Sequence, residues 1–205
     1  MNKLYSRIDE NGLIPELEPP FWNFYEWTEG SSGKSSSPYH LILNAAFVYS
    51  CERLSELCRL ANRSFGLDTA PIKKAIKKEF FNPERGIFTL SPNGKTASQL
   101  GNAFALLIGL GDERTKEALK CSAELIPATL SMLPFIYDAL LLCDCSAKDF
   151  ILRDIREKYG YMLREGATTF WETIEGESAF SRAGSLCHGW SAIPIYYYNI
   201  FRNGK

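Results

Sequence analysis

No run of about eighteen apolar residues occurs anywhere in the 205-residue chain, so no segment is long enough to cross a bilayer as a helix. The N-terminal MNKLYSRIDENG contains no apolar signal core, which makes the cytoplasm the expected location and leaves no role at a membrane. A surplus of either charge is also missing. Lys and Arg number 23 against 24 Asp and Glu, so neither nucleic acid nor a strongly basic partner is expected. Metal-ligand spacing is lacking too. The cysteines stand at 51, 58, 121, 143, 145 and 187, and neither Cys143-Asp144-Cys145 nor Cys187-His188 gives a paired Cys-x-x-Cys. No metal and no cofactor are expected, and the thiols, mostly inside apolar stretches, are expected to be free and buried. A Gly-rich phosphate loop and a nucleophile elbow are absent. Strand signal is scarce: only Ile87–Leu90 (IFTL) reads as extended.

What is present is apolar and aromatic. Hydrophobic residues make up 45% of the chain, enough to build a core, and aromatics 13%, with four Trp and ten Tyr. Residues 1–37 read as an irregular lead-in, because Gly12, Pro15, Pro19 and Pro20 break any long helix and EGSSGKSSSP is a polar loop. Between these lies PPFWNFYEW, an aromatic knot. From 38 onward helical periods dominate. Leu43, Phe47, Cys51, Leu54, Cys58 and Ala61 mark one face of a helix over 39–64. Asp68 or Thr69 can cap PIKKAIKKEFF, whose lysines face outward. Further helices read over 98–110, from Asp112 to a stop at Pro127, through LPFIYDALLLC with Pro134 in an early turn, over 147–165, and over 187–201 with a bend or start near Pro194. Seven helices with short links predict antiparallel αα-hairpins. The fold class is all-α, one domain forming part of a helical-hairpin toroid, since no 34-residue repeat consensus points to a solenoid.

Chemistry concentrates in GATTFWETIEGESAFSRAGSLCHGW (166–190), which has no helical period and reads as a loop. Glu172 follows β-branched and aromatic residues that favour extended backbone, so Phe170 and Glu172 should share a side and Trp171 should diverge. A carboxylate among rings is a good proton acceptor or donor; the alternative is a surface pair with Arg164 or Arg182. The expected placement of Glu172 is at a sugar-sized hollow ringed by indoles. His188 and Trp190 are expected at the start of the last helix. Trp22, Glu26 and Trp27 offer ring stacking and a carboxylate, as sugar binding requires, or a structural plug. Gln99 and Asn102 reach either a cavity or exposed backbone. A self-contained carboxyl pair, with Glu26 or Glu175 as acid to Glu172, is a further possibility.

In order, GLIPELEPPFWNFYEW, YHLILNAAFVYS, SQLGNAFALLIGL, YGYMLREGATTFWET and SLCHGWSAIPIYYY resemble the C-terminal part of the six-hairpin catalytic domain of bacterial α-L-rhamnosidases. The resemblance covers nearly the whole chain, and GATTFWE and SLCHGW are its most specific pieces. It implies an (α/α) toroid that hydrolyses terminal α-L-rhamnosides with inversion, using two carboxyl groups about 6.5–9.5 Å apart. Glu172 matches the water-activating base, and His188 and Trp190 match sugar-contacting positions; Trp171, beside Glu172, is a further expected sugar contact. The knot departs from the family by ending Glu26-Trp27 where Asp-Trp is usual. Nothing in 1–37 resembles the family's acidic, Arg-containing general-acid motif, so the acid is expected outside this chain. Two outcomes are open: part of a glycosidase, or a non-catalytic sugar-binding or helical assembly module. The partner is a rhamnoside, with the remaining half of the toroid or a second copy at the open edge.

Overall fold

The computed structural model describes residues 2–33, 37–120 and 122–203; Cys121 and part of the EGSSGKSSSP loop lie outside them. Helices are α1 (Asn2–Tyr5), α2 (Leu41–Leu60), α3 (Ala70–Phe80), α4 (Gln99–Leu107), α5 (Glu113–Lys120), α6 (Leu133–Cys143), α7 (Lys148–Arg164), α8 (Ala179–Arg182) and α9 (Pro194–Arg202). Among the described residues, seven helices have eight residues or more, and they correspond to the seven the periodicity predicts. The fold is the all-α helical-hairpin class. Its internal contacts divide the chain into two compact units, 1–127 and 128–205.

In the first unit α2 packs against α3 and α4. Helices α2, α3 and α4 begin where the sequence supplies a cap. His40 Nδ1 accepts Ile42 N–H at the start of α2, Ser98 Oγ accepts Gly101 N–H at the start of α4, and Asp68 accepts Ala70 N–H ahead of α3. Ile72, Ile76 and Phe80 of α3 are buried with Leu41, Ala45 and Val48 of α2, while the lysines of α3 stay outside. The predicted stripe on α2 holds only in its first half. Phe47 and Cys51 are buried, but the helix stops at Leu60, and Ala61, expected on the inner face, is its exposed C-cap.

Ile87–Phe88 forms a short strand, β2, antiparallel to β1 (Phe81–Asn82). Three asparagines then act as strand substitutes. Asn102 on α4 accepts Phe88 N–H at 2.8 Å and donates to Phe88 O at 2.9 Å; Asn44 on α2 does the same for Ile14, at 2.7 and 3.1 Å. Asn23 brackets Leu17 at 3.0 and 2.8 Å. An amide side chain carries one acceptor and two donors, so each clamp satisfies both backbone groups of one extended residue. Of the two destinations open to Asn102, backbone is the one observed, and Gln99 bonds Leu119 O at 3.2 Å. The helix from Asp112 is shorter than the expected run to Pro127: α5 ends at Lys120, and a 3₁₀ turn, Ser122–Glu124, follows.

In the second unit α7 packs against α9, and the 3₁₀ turn Leu130–Met132 meets the 3₁₀ turn Gly189–Ser191. The core is Leu133, Ile136, Tyr137 and Leu140 of α6, Ile151, Ile155 and Met162 of α7, and Tyr197 of α9. Tyr197 donates to Asp138 at 2.7 Å and crosses the Tyr137 ring edge-on at 5.0 Å. Tyr137 donates to Asp154 at 2.6 Å. Both phenols are thereby satisfied in an apolar interior. The last helix starts at Pro194, so His188 and Trp190 precede it rather than open it. Burial of the thiols is also only partial: Cys51 is buried and Cys58 half-buried, whereas Cys143 and Cys187 are exposed, at an element end and in a loop.

Candidate functional site

Residues 165–193 leave α7 and return to α9 without regular secondary structure beyond single turns, as the missing helical period predicts. The loop is held as two paired arms. Glu172 N–H donates to Ser185 O at 2.9 Å, and His188 N–H donates to Phe170 O at 2.7 Å. The Glu172 carboxylate accepts Ser185 N–H at 3.2 Å, and the Thr169 hydroxyl donates to Leu186 O. The arm 169–172 therefore lies along 185–188, and four hydrogen bonds place Glu172 and His188 in one construction. Neither Arg164 nor Arg182 forms an ion pair with Glu172 among the described residues; its bonded partner is backbone.

The rings sort by arm. Trp171 stands edge-on to Tyr161 at 6.5 Å and lies over Gly176, so it packs away toward the end of α7. Phe170 meets the Tyr159 ring edge-on at 5.9 Å. His188 is half-buried and crosses Trp190 edge-on at 6.0 Å. Trp190 is 79% exposed, a large ring face offered to solvent. Two buried hydroxyls stand beside these groups, Thr173 Oγ1 next to Glu172 and Ser191 Oγ next to Trp190. Neither has a hydrogen-bond partner among the described residues.

A recess of about 390 Å³ opens between α7, the segment 167–170 and α9, with Ile155, Tyr159, Met162, Phe170, Pro194 and Tyr198 among its walls. That volume accommodates a small molecule. Its wall includes Thr168, Thr169 and Phe170 but not Glu172, Trp171, His188 or Trp190.

The first unit carries the other aromatic group. Trp22, Phe24 and Trp27 form a triad with centroids 5.0, 5.6 and 4.7 Å apart, with Trp22 60% and Trp27 47% exposed. Between these outward rings the inward residues are polar and tied. Asn23 clamps Leu17, Tyr25 donates to Glu16 at 2.8 Å, and Glu26 is 1% exposed, its carboxylate accepting the Thr28 hydroxyl at 3.3 Å. Tyr25 stacks on His40 at 4.3 Å, and His40 Nε2 donates to Gly30 O at 2.8 Å. Since Nδ1 accepts from Ile42, the ring is neutral. Burial pushes its pKa down to about 4 against a partial opposing effect of the Gly30 bond. The knot is thus both plug and platform: a bonded inner row presents an exposed outer row. Ser185, Asn23 and Tyr159 were not singled out by sequence reasoning. Ser185 acts through its main chain, which leaves no signature, and Tyr159 reads simply as part of the apolar stripe of α7.

A family model described as the bacterial alpha-L-rhamnosidase 6 hairpin glycosidase domain matches residues 5–200. Among solved structures, the chain is similar to a GH78 family rhamnosidase of Bacillus sp. GL1, with a TM-score of 0.81 and 23% identity over 97% of this chain. It is also similar to a rhamnosidase from Klebsiella oxytoca with rhamnose bound, with a TM-score of 0.71 and 19% identity over 98% of this chain. The alignments span 22% and 40% of those two chains. No curated protein matches. These likenesses establish the hairpin fold, and with nearly all its residues matched the chain belongs to the bacterial α-L-rhamnosidase six-hairpin glycosidase family.

Proposed function

We propose that this chain forms part of an inverting glycosidase acting on terminal α-L-rhamnosides, with Glu172 as the base that activates water. The observation that carries the reading is the pairing of 169–172 with 185–188, which brings the carboxylate, His188 and Trp190 into one loop. Family membership and the likeness to a rhamnosidase with rhamnose bound support the substrate class. In this reading Ser185 N–H fixes one carboxylate oxygen and leaves the other for water, so that the base is oriented before the sugar arrives. His188 and Trp190 contact the sugar, Trp190 stacking on its C–H face, and Trp171 supports the arm that carries Glu172. Within the first unit, Trp22 and Trp27 offer exposed ring faces on which a sugar can stack, whereas Glu26, 1% exposed, braces the knot from within and is not a sugar contact. The general acid comes from outside these residues, and the second half of the toroid supplies it.

The exposed ring triad favours one second reading, a sugar-binding module without hydrolysis. Titrating the chain with rhamnose while following Trp fluorescence tests both. Saturable quenching, lost in Trp190→Ala, is the expected result; no response at any rhamnose concentration overturns the sugar reading. Hydrolysis of an aryl rhamnoside by the chain alone should be negligible, because loss of one proton-transfer group typically forfeits about 10²–10⁴-fold.

A further inference from the structure

Tyr159 is the one α7 side chain bonded or ring-paired to both arms of the Glu172 loop among the described residues. Its hydroxyl donates to Ser191 O at 2.7 Å, next to Trp190 on the returning arm. Its ring packs edge-on against Phe170 at 5.9 Å, two residues before Glu172 on the outgoing arm. Phe170 O in turn accepts His188 N–H, and Ser191 N–H donates back to His188 O at 3.0 Å. One buried tyrosine, 8% exposed, thus closes a circuit through Phe170, His188 and Ser191. We propose that Tyr159 is a positioning residue that sets the distance between the Glu172 arm and the His188–Trp190 arm. Its effect on sugar binding rests on the functional reading above, whereas its effect on the arms does not.

The circuit has little slack. The helix fixes the Tyr159 backbone, and the ring's two torsions are fixed at one end by Phe170 and at the other by the Ser191 carbonyl. Ser191 is itself fully buried in a turn packed on Leu130–Met132. Burial, with the nearby Asp154 charge, pushes the Tyr159 phenol above its ordinary range, so it remains a protonated donor at any working pH. Releasing the hydroxyl leaves Ser191 O without its partner and frees the returning arm to shift relative to Phe170.

Tyr159→Phe separates positioning from packing, because it keeps the ring on Phe170 and deletes only the bond to Ser191. Amide hydrogen exchange of the 205-residue chain is the direct readout. In Tyr159→Phe the His188 and Glu172 amides should exchange about three- to tenfold faster, the range expected for one lost hydrogen bond, while Ile136 and Leu140 amides in α6 stay unchanged. Unchanged exchange at His188 and Glu172 overturns the inference, and so does uniform acceleration that includes α6, which would mark a merely structural tyrosine. The rhamnose titration adds a second readout: the variant should bind more weakly by a similar factor. A wild-type chain that fails to bind rhamnose but shows the selective exchange would sink the sugar reading and leave the positioning role standing.

Discussion

Glu172 and Ser185 are bonded twice, through Glu172 N–H to Ser185 O at 2.9 Å and through Ser185 N–H to the Glu172 carboxylate at 3.2 Å. The second bond ties a functional side chain to the main chain of the opposite arm, so the carboxylate and the loop geometry are specified together. Glu172→Gln tests what the charge contributes. The amide oxygen can still accept from Ser185, so the fold and the thermal midpoint should barely change. In an enzyme completed by its general acid, turnover should fall about 10²–10⁴-fold. Near-normal turnover in steady-state assays would remove Glu172 from proton transfer.

The Asn102 clamp predicts a large stability effect far from any sugar. Asn102→Ala leaves both Phe88 N–H and Phe88 O buried without partners, which should cost about 3 kcal/mol in urea or guanidinium titration. Asn102→Asp should be no better, because a carboxylate accepts from Phe88 N–H but cannot donate to Phe88 O. A loss below about 0.5 kcal/mol would mean that water replaces the amide at this site.

His40 predicts a pH dependence with a definite sign. Its pKa is lowered from 6.5 to about 4 in the folded chain, so the unfolded chain takes up the proton first as pH falls. The contribution is complete above about pH 6.5, declines between there and about pH 4, and amounts to about 3 kcal/mol at full extent. His40→Asn retains an N-cap acceptor but cannot be protonated. Comparing the variant's stability with the parent's at pH 7.5 and pH 5 should show a shallower pH slope in the variant; identical slopes would contradict a buried neutral imidazole.

How far these features could be read from sequence depends on the range of the interaction. Helix α3 was legible because Ile72, Ile76 and Phe80 repeat at one helical period and Asp68 caps locally. The irregular character of 166–190 was legible for the same reason, from the lack of any period. The pairing of Glu172 with Ser185 and of Phe170 with His188 was not, because backbone partners far apart in the sequence leave no mark on side-chain identity. Asn102 lay between these limits. Its polarity inside a small-residue helix left a cavity and backbone both open as destinations, and the strand residue that receives it is set by tertiary packing. Glu172 and His188 were legible as a motif, whereas Tyr159, buried like any core residue of α7, was indistinguishable from its neighbours Ile155 and Met162.

The neck of the same loop gives the sharpest steric prediction. A Cβ on Gly184 would lie 2.0 Å from Gly176 O and 3.0 Å from Ala179 Cβ. The first of these is main chain and cannot swing aside as a side-chain end can. Ala183 and Gly184 N–H both donate to Ala179 O, at 2.9 and 3.1 Å, so the segment 176–184 is already drawn tight. Gly184→Ala must therefore push Gly176 and the paired arms apart, one residue before Ser185. Overpacking of this kind costs about 1–3 kcal/mol, and the displacement should appear at Ser185 before anywhere in α6 or α7. The expected outcome is a lowered thermal midpoint with faster amide exchange at Glu172, and in a completed enzyme a loss of turnover larger than the loss of folded protein. Wild-type exchange at Glu172 in a Gly184→Ala chain would show that the neck moves independently of the arms.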